Sequence, residues 1–111
     1  MVHTKAFNSY YLYYVGNHDT VPAQLLLYDG STFAGWVYFY HDNLTLPEPH
    51  WGNNFILYFK ISEYQNVMSI LRHEKPLYVL YNDQAKYAGF GTTEKEPIGE
   101  EEPRGLIRLF V

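Results

Sequence analysis

Phe33-Ala34-Gly35-Trp36-Val37-Tyr38-Phe39-Tyr40-His41 is the stretch on which the reading of the fold turns. Side chains alternate across a strand, so Phe33, Gly35, Val37 and Phe39 share one face while Trp36, Tyr38 and Tyr40 share the other. Both faces are apolar, and the run is rich in β-formers. Upstream, Asp29-Gly30 between two apolar runs is the strongest short hairpin signal, so 24–28 pairs with 33–41. Before it, 7–15 reads as a first strand that turns through Gly16-Asn17-His18-Asp19-Thr20. Downstream, Pro47, Pro49 and Gly52 make 42–54 an exposed loop. Residues 55–61 are a fourth strand, with Phe55, Leu57, Phe59 and Ile61 on one face and Ile56, Tyr58 and Lys60 on the other.

One helix is expected, over 63–73. Ser62 with Gln65 three residues on forms a capping box, and Glu63 suits the positive helix start. Tyr64, Val67, Met68 and Leu71 fall at i, i+3, i+4 and i+7 and make one apolar stripe. This stripe is expected to pack on the face that holds Val37, Phe39, Leu57 and Phe59. Arg72, His73 and Lys75 suit the negative end, and Pro76 bars continuation. Residues 77–81 and 87–90 are two further strands in a hairpin through Asn82-Asp83-Gln84, 94–103 is a loop, and 106–111 is a last strand. The fold class is therefore α+β: a single twisted or partly closed antiparallel sheet, in the order ββββ-α-βββ, with the helix on one face. A helix of about three turns covers part of one face only. The second face, Trp36, Tyr38, Tyr40, Tyr58 and Tyr78, closes as a barrel, meets another subunit or binds a ligand.

Composition bounds the function. With 111 residues one domain is expected. Twelve tyrosines set a surface that is half core and half contact. The absence of cysteine excludes disulfides, thiolate metal sites and cysteine nucleophiles. The start has no apolar leader core and no run approaches a membrane span, so a cytoplasmic protein without membrane contact is expected. Five Glu against Lys95 and Arg104 place three of the four net negative charges between 94 and 104. The remainder is nearly neutral and offers no basic field for nucleic acid.

Candidate chemistry is thin. His41-Asp42 with His50 matches no zinc spacing, and the serines offer no nucleophile elbow. Gly89-Phe90-Gly91-Thr92-Thr93 lacks the lysine and following helix of a phosphate loop. Glu100-Glu101-Glu102 has no calcium-loop spacing and reads as a solvated acidic loop. Stacking of single-stranded bases on the tyrosines would require interleaved cations, and only Lys60, Lys86 and Arg108 lie in or beside the expected strands. No cofactor is expected.

The segment Leu71-Arg72-His73-Glu74-Lys75-Pro76-Leu77-Tyr78, followed by Glu96-Pro97-Ile98-Gly99-Glu100-Glu101-Glu102, resembles a pattern in small uncharacterised bacterial proteins, many of them cyanobacterial. In that pattern an Asn stands where this chain has His73, and a Gly where it has Glu101. The resemblance implies a bacterial single-domain protein and brings no activity. Physically, Arg72, Glu74 and Lys75 at the helix end face a returning loop with Glu96 and Glu100, a candidate charged clasp. Each exposed pair would contribute ~0.2–1 kcal/mol.

The expectation is thus a non-enzymatic binding or assembly module, a homo-oligomer and most simply a dimer, that self-associates through its Tyr-rich face. The alternative is a small enzyme or small-molecule-binding protein with an aromatic-lined pocket in a barrel-like sheet.

Overall fold

A computed structural model of the chain describes residues 1–74 and 76–92. Lys75, Glu96, Glu100, the acidic loop and the expected last strand lie outside the described residues.

At Asp29-Gly30 the chain turns as the sequence predicts. Strand β3 (Ala23–Asp29) pairs antiparallel with β4 (Thr32–Tyr40), and Asp29 faces Thr32 across the Gly30-Ser31 turn. Gly30 takes a φ of 63°, the left-handed conformation that a two-residue hairpin turn of this kind demands. Strand β2 (Ser9–Tyr14) pairs antiparallel with β3 on its other side.

The single sheet expected from the sequence is two sheets. One has the order β2-β3-β4-β5, with β5 spanning Phe55–Lys60. The other has the order β1-β6-β7, formed by β1 (Val2–Phe7), β6 (Leu77–Asn82) and β7 (Tyr87–Thr92). The cause is Asn8, which splits the expected 7–15 strand. Its N–H donates to the Tyr28 carbonyl at 2.8 Å and its side-chain oxygen accepts the Gly30 N–H at 3.0 Å. Those bonds spend Asn8 on the hairpin and divert the chain from one ladder to the other. Strand β1 lies before the expected strand start, because the polar residues around His3 and Lys5 hide its alternation. Both sheets are open, so no barrel closes among the described residues.

Orientation differs too. Strands β4 and β5 are parallel, with Gly35 beside Phe55 and Tyr40 beside Lys60. Parallel neighbours need a long crossover, and the 41–54 connection supplies it. The described order is therefore five strands, the helix, and two strands.

Helix α1 (Tyr64–His73) follows a short 3-10 turn, Ile61–Glu63. The expected capping box at Ser62 does not form, since neither helical segment has a side-chain cap at its own N-terminus. Instead the Asp42 carboxylate accepts the Ser62 N–H at 3.0 Å, so the loop caps the helical start from outside. The apolar stripe is as expected. Val67 and Met68 are buried, Tyr64 and Leu71 partly so, against a core that includes Leu25, Val37, Phe39 and Leu57. Phe7, Leu77 and Val79 of the three-stranded sheet complete that core. Each such side chain contributes about 1.5–3 kcal/mol on burial, before chain entropy is set against it.

Candidate functional site

The register fixes what faces away from α1. Residues opposed across strands share a face, so Tyr13, Gln24, Tyr38 and Tyr58 form one row and Tyr11, Leu26, Trp36 and Ile56 the next. Tyr40 and Lys60 lie opposite each other at the end of β4 and β5. The opposite face carries Leu25, Val37 and Leu57, all buried.

Aromatic rings run across the outer face as a chain of contacts. Tyr11 meets Tyr28 edge-on at 5.6 Å, Tyr28 meets Phe33 at 5.4 Å, and Phe33 meets Trp36 at 4.7 Å. The chain continues from Trp36 to Tyr38 at 6.5 Å, Tyr38 to Tyr58 at 5.9 Å, and Tyr58 to Tyr40 at 5.5 Å. These separations are those of favourable offset and edge-to-face pairs. Trp36, Tyr38, Tyr40 and Tyr58 are half-buried, and Tyr11 is 60% exposed. Burial, and after it the Tyr40 phenol, raises the Tyr38 pKa above its usual value; for Tyr58 burial leads, followed by Tyr40 and Tyr38. The Tyr38 and Tyr58 phenols therefore stay neutral and available as hydrogen-bond donors at physiological pH.

Four of the five aromatic candidates from the sequence thus come together. Tyr78 does not join them. It lies on β6 between Ala6 and Gly91, and a side chain at Gly91 would collide with its ring at 2.8 Å. The ring of Tyr78 thereby covers a gap in its own sheet. Tyr11, Tyr28 and Phe33 belong to the ladder but were not among the candidates; simple alternation puts Phe33 on the face of Val37 and Phe39, and the register shift between Leu27 and Tyr28 turns it instead to the face of Trp36. Lys60 sits at the end of the face with its ammonium bound to the Asp42 and Leu44 carbonyls, at 2.6 and 3.0 Å. Lys86 is in the β6–β7 turn, away from the tyrosines, with a φ of 62°, and Arg108 lies outside the described residues.

Of the charged clasp, Arg72 and Glu74 are described. They lie at the C-terminal end of α1, on the wall of a cleft of about 730 Å³ whose opposite wall is Phe7 to Tyr10. Lys75, Glu96 and Glu100 fall outside the described residues.

A second aromatic cluster joins the two sheets. Trp51 stacks on Tyr81 at 6.0 Å, on Phe55 at 5.9 Å and on His3 at 5.6 Å. His3 Nε2 lies 3.0 Å from one Asp83 oxygen, and the Met1 ammonium donates to the other at 2.7 Å. Hydrogen bonds from the ammonium, then from His3, hold the Asp83 pKa down at about 2.

The loop histidines serve the backbone. His18 Nδ1 accepts the N–H groups of Thr20 and Val21, and His41 Nε2 lies 2.8 Å from the His18 carbonyl. Among the described residues no three His, Asp or Glu side chains converge as metal ligands, and no helix is long and apolar enough to cross a membrane. Comparison with known proteins finds no matching family, no matching curated protein and no matching solved structure.

Proposed function

We propose that this chain is a non-enzymatic assembly module whose outer sheet face packs against the same face of a second copy. The observation that carries the reading is the continuous ladder from Tyr11 to Tyr40, laid on the face that α1 does not cover. Half-buried aromatic rings with neutral phenols are the residue class enriched at the centres of protein interfaces. The charge on this face, Lys60, is already held by loop carbonyls and is set at the margin, where a polar rim belongs. Sedimentation velocity tests the reading. A concentration-dependent dimer is expected, weakened by Trp36→Ala or Tyr58→Lys with the β-sheet circular dichroism spectrum retained, and a clean monomer at tens of micromolar would remove it.

The cleft beside Arg72 favours a second reading, capture of a small amphiphile. Its volume suits a small-molecule site, although its place at the sheet–helix corner differs from the barrel interior that the sequence suggests. Under that reading an anionic fluorescent probe such as anilinonaphthalene sulfonate brightens on binding, and Leu71→Trp, which fills the cleft, abolishes the signal.

A further inference from the structure

The outer edge of β2 is built unlike the outer edges of β5 and β1. Strand β5 is blunted by His50, which exchanges both backbone bonds with Ile56 at 2.9 Å. Strand β1 carries Lys5, whose ammonium is bound to the Asn53 carbonyl at 2.7 Å. Charge and a covering segment are among the devices that stop one sheet edge from pairing with another. Strand β2, Ser9-Tyr10-Tyr11-Leu12-Tyr13-Tyr14, has no charge, no proline and no glycine, and among the described residues β3 is its one strand partner. Tyr11, Tyr13 and Tyr14 are 60%, 51% and 59% exposed, and Leu12 is 37% exposed.

The direction of the backbone groups follows from one bond. Val15 donates to the Pro22 carbonyl, and bonded and non-bonded pairs alternate along an antiparallel ladder. The odd-numbered residues of β2 therefore bond to β3, while Tyr10, Leu12 and Tyr14 turn their N–H and C=O groups outward. The core of the strand, Tyr10-Tyr11-Leu12-Tyr13-Tyr14, also reads the same in both directions.

We propose that two copies of the chain pair through β2, antiparallel about a twofold axis at Leu12, so that two four-stranded sheets become one continuous sheet. The palindrome sets Tyr10 opposite Tyr14 of the second copy and Leu12 opposite Leu12 of the second copy. All of these are outward-facing residues and exchange both backbone bonds. Tyr11 then meets Tyr13 of the second copy in the non-bonded pairs, where side chains come closest. Directly opposed residues share a face, so the aromatic ladders of the two copies join on one side and the helices lie together on the other. Such an isologous contact is self-limiting, because the same β2 edge of each copy is consumed by the pairing. A six-residue edge is a small contact beside the roughly 1,200–2,000 Å² of a standard stable interface, so a dimer that forms only as concentration rises is expected. This contact is separate from the face-to-face packing proposed above, since it leaves Trp36, Tyr38, Tyr40 and Tyr58 uncovered.

Sedimentation velocity and hydrogen exchange on the full chain test the edge. A dimer is expected in which the Tyr10, Leu12 and Tyr14 amides slow as concentration rises. Leu12→Pro removes one outward donor without touching a bond to β3 and should abolish the concentration-dependent slowing of the Tyr10 and Tyr14 amides; combined with Tyr58→Lys it should leave a monomer. A charge design checks the register independently of that variant. Tyr11→Lys with Tyr13→Lys sets like charges across the contact and should weaken the dimer by roughly tenfold or more. Tyr11→Glu with Tyr13→Lys sets opposite charges there and should restore it in low salt. Tyr58→Lys, on the sheet face, should leave the edge dimer intact even where it abolishes face packing. A monomer at every concentration, with the β2 amides either freely exchanging or protected inside one chain, overturns the proposal, as does a dimer indifferent to both charge designs.

Discussion

A methyl group at Gly35 would meet the carbonyl and ring of Phe55, because the parallel register sets the two residues side by side in adjacent strands. Overpacking of this kind costs typically about 1–3 kcal/mol, and here backbone has to move. Gly35→Ala should therefore lower the urea midpoint sharply. Gly89→Ala is the matched control, as its new methyl meets nothing within 4 Å, and it should be neutral or stabilising by up to about 1 kcal/mol through a stiffer unfolded chain. Asp83 gives a second residue-scale expectation. Its carboxyl falls from an ordinary value of 3.8 to about 2 in the folded chain, so its contribution is present above the ordinary value and is lost as pH drops through about 2. Asp83→Asn should flatten the acid limb of the thermal midpoint between those two values. The site is solvent-exposed, so the change should shrink in high salt.

At the scale of elements, α1 was legible because four apolar residues at helical spacing admit one buried stripe, and Val67 and Met68 fill it. Met68 is fully buried, and Met68→Ala should cost about 2–5 kcal/mol in chemical denaturation. Leu71 is only partly buried on the cleft wall, so Leu71→Ala should fall below that range, not within it as the stripe alone would suggest. The capping box at Ser62 was a local pattern overridden by a distant side chain. Asp42→Ala should cost about 1 kcal/mol and Ser62→Ala close to nothing, measured as paired unfolding curves. The direction of β5 was not legible for a different reason. A period-two pattern is the same read forward or backward, so the residues 55–60 reveal faces but not polarity. The break at Asn8 escaped because Asn is as common in a turn as at a strand margin, and its bonds to Tyr28 and Gly30 exist only once the hairpin has formed.

For the whole molecule, the sequence showed that an apolar face would be left over, but not which tyrosines would share it. Trp36, Tyr38 and Tyr40 follow from alternation within one strand, and Tyr58 from its register beside Tyr38. Tyr78 was grouped with them because one sheet was expected where there are two. The same division bears on nucleic acid. Lys60 is engaged by loop carbonyls and Lys86 lies in the β6–β7 turn, which belongs to the other sheet, so no row of free cations flanks the described ladder. With a net charge of −4, binding to a labelled single-stranded oligonucleotide should be no tighter than the roughly 10⁻⁴–10⁻⁶ M non-specific range. Sub-micromolar affinity with a steep salt dependence in a fluorescence-anisotropy titration would overturn that expectation. The pairing of β1 with β6 has a further consequence for synthesis. His3 leaves the ribosome well before its partner Tyr81, with most of the described chain between them. The β2–β3–β4 meander is complete long before β1 has anything to pair with, and such distant closure is slow. During that interval the nascent chain carries an orphan strand ahead of a finished aromatic sheet, so slow synthesis of β6 lengthens the time in which copies on one messenger can capture each other.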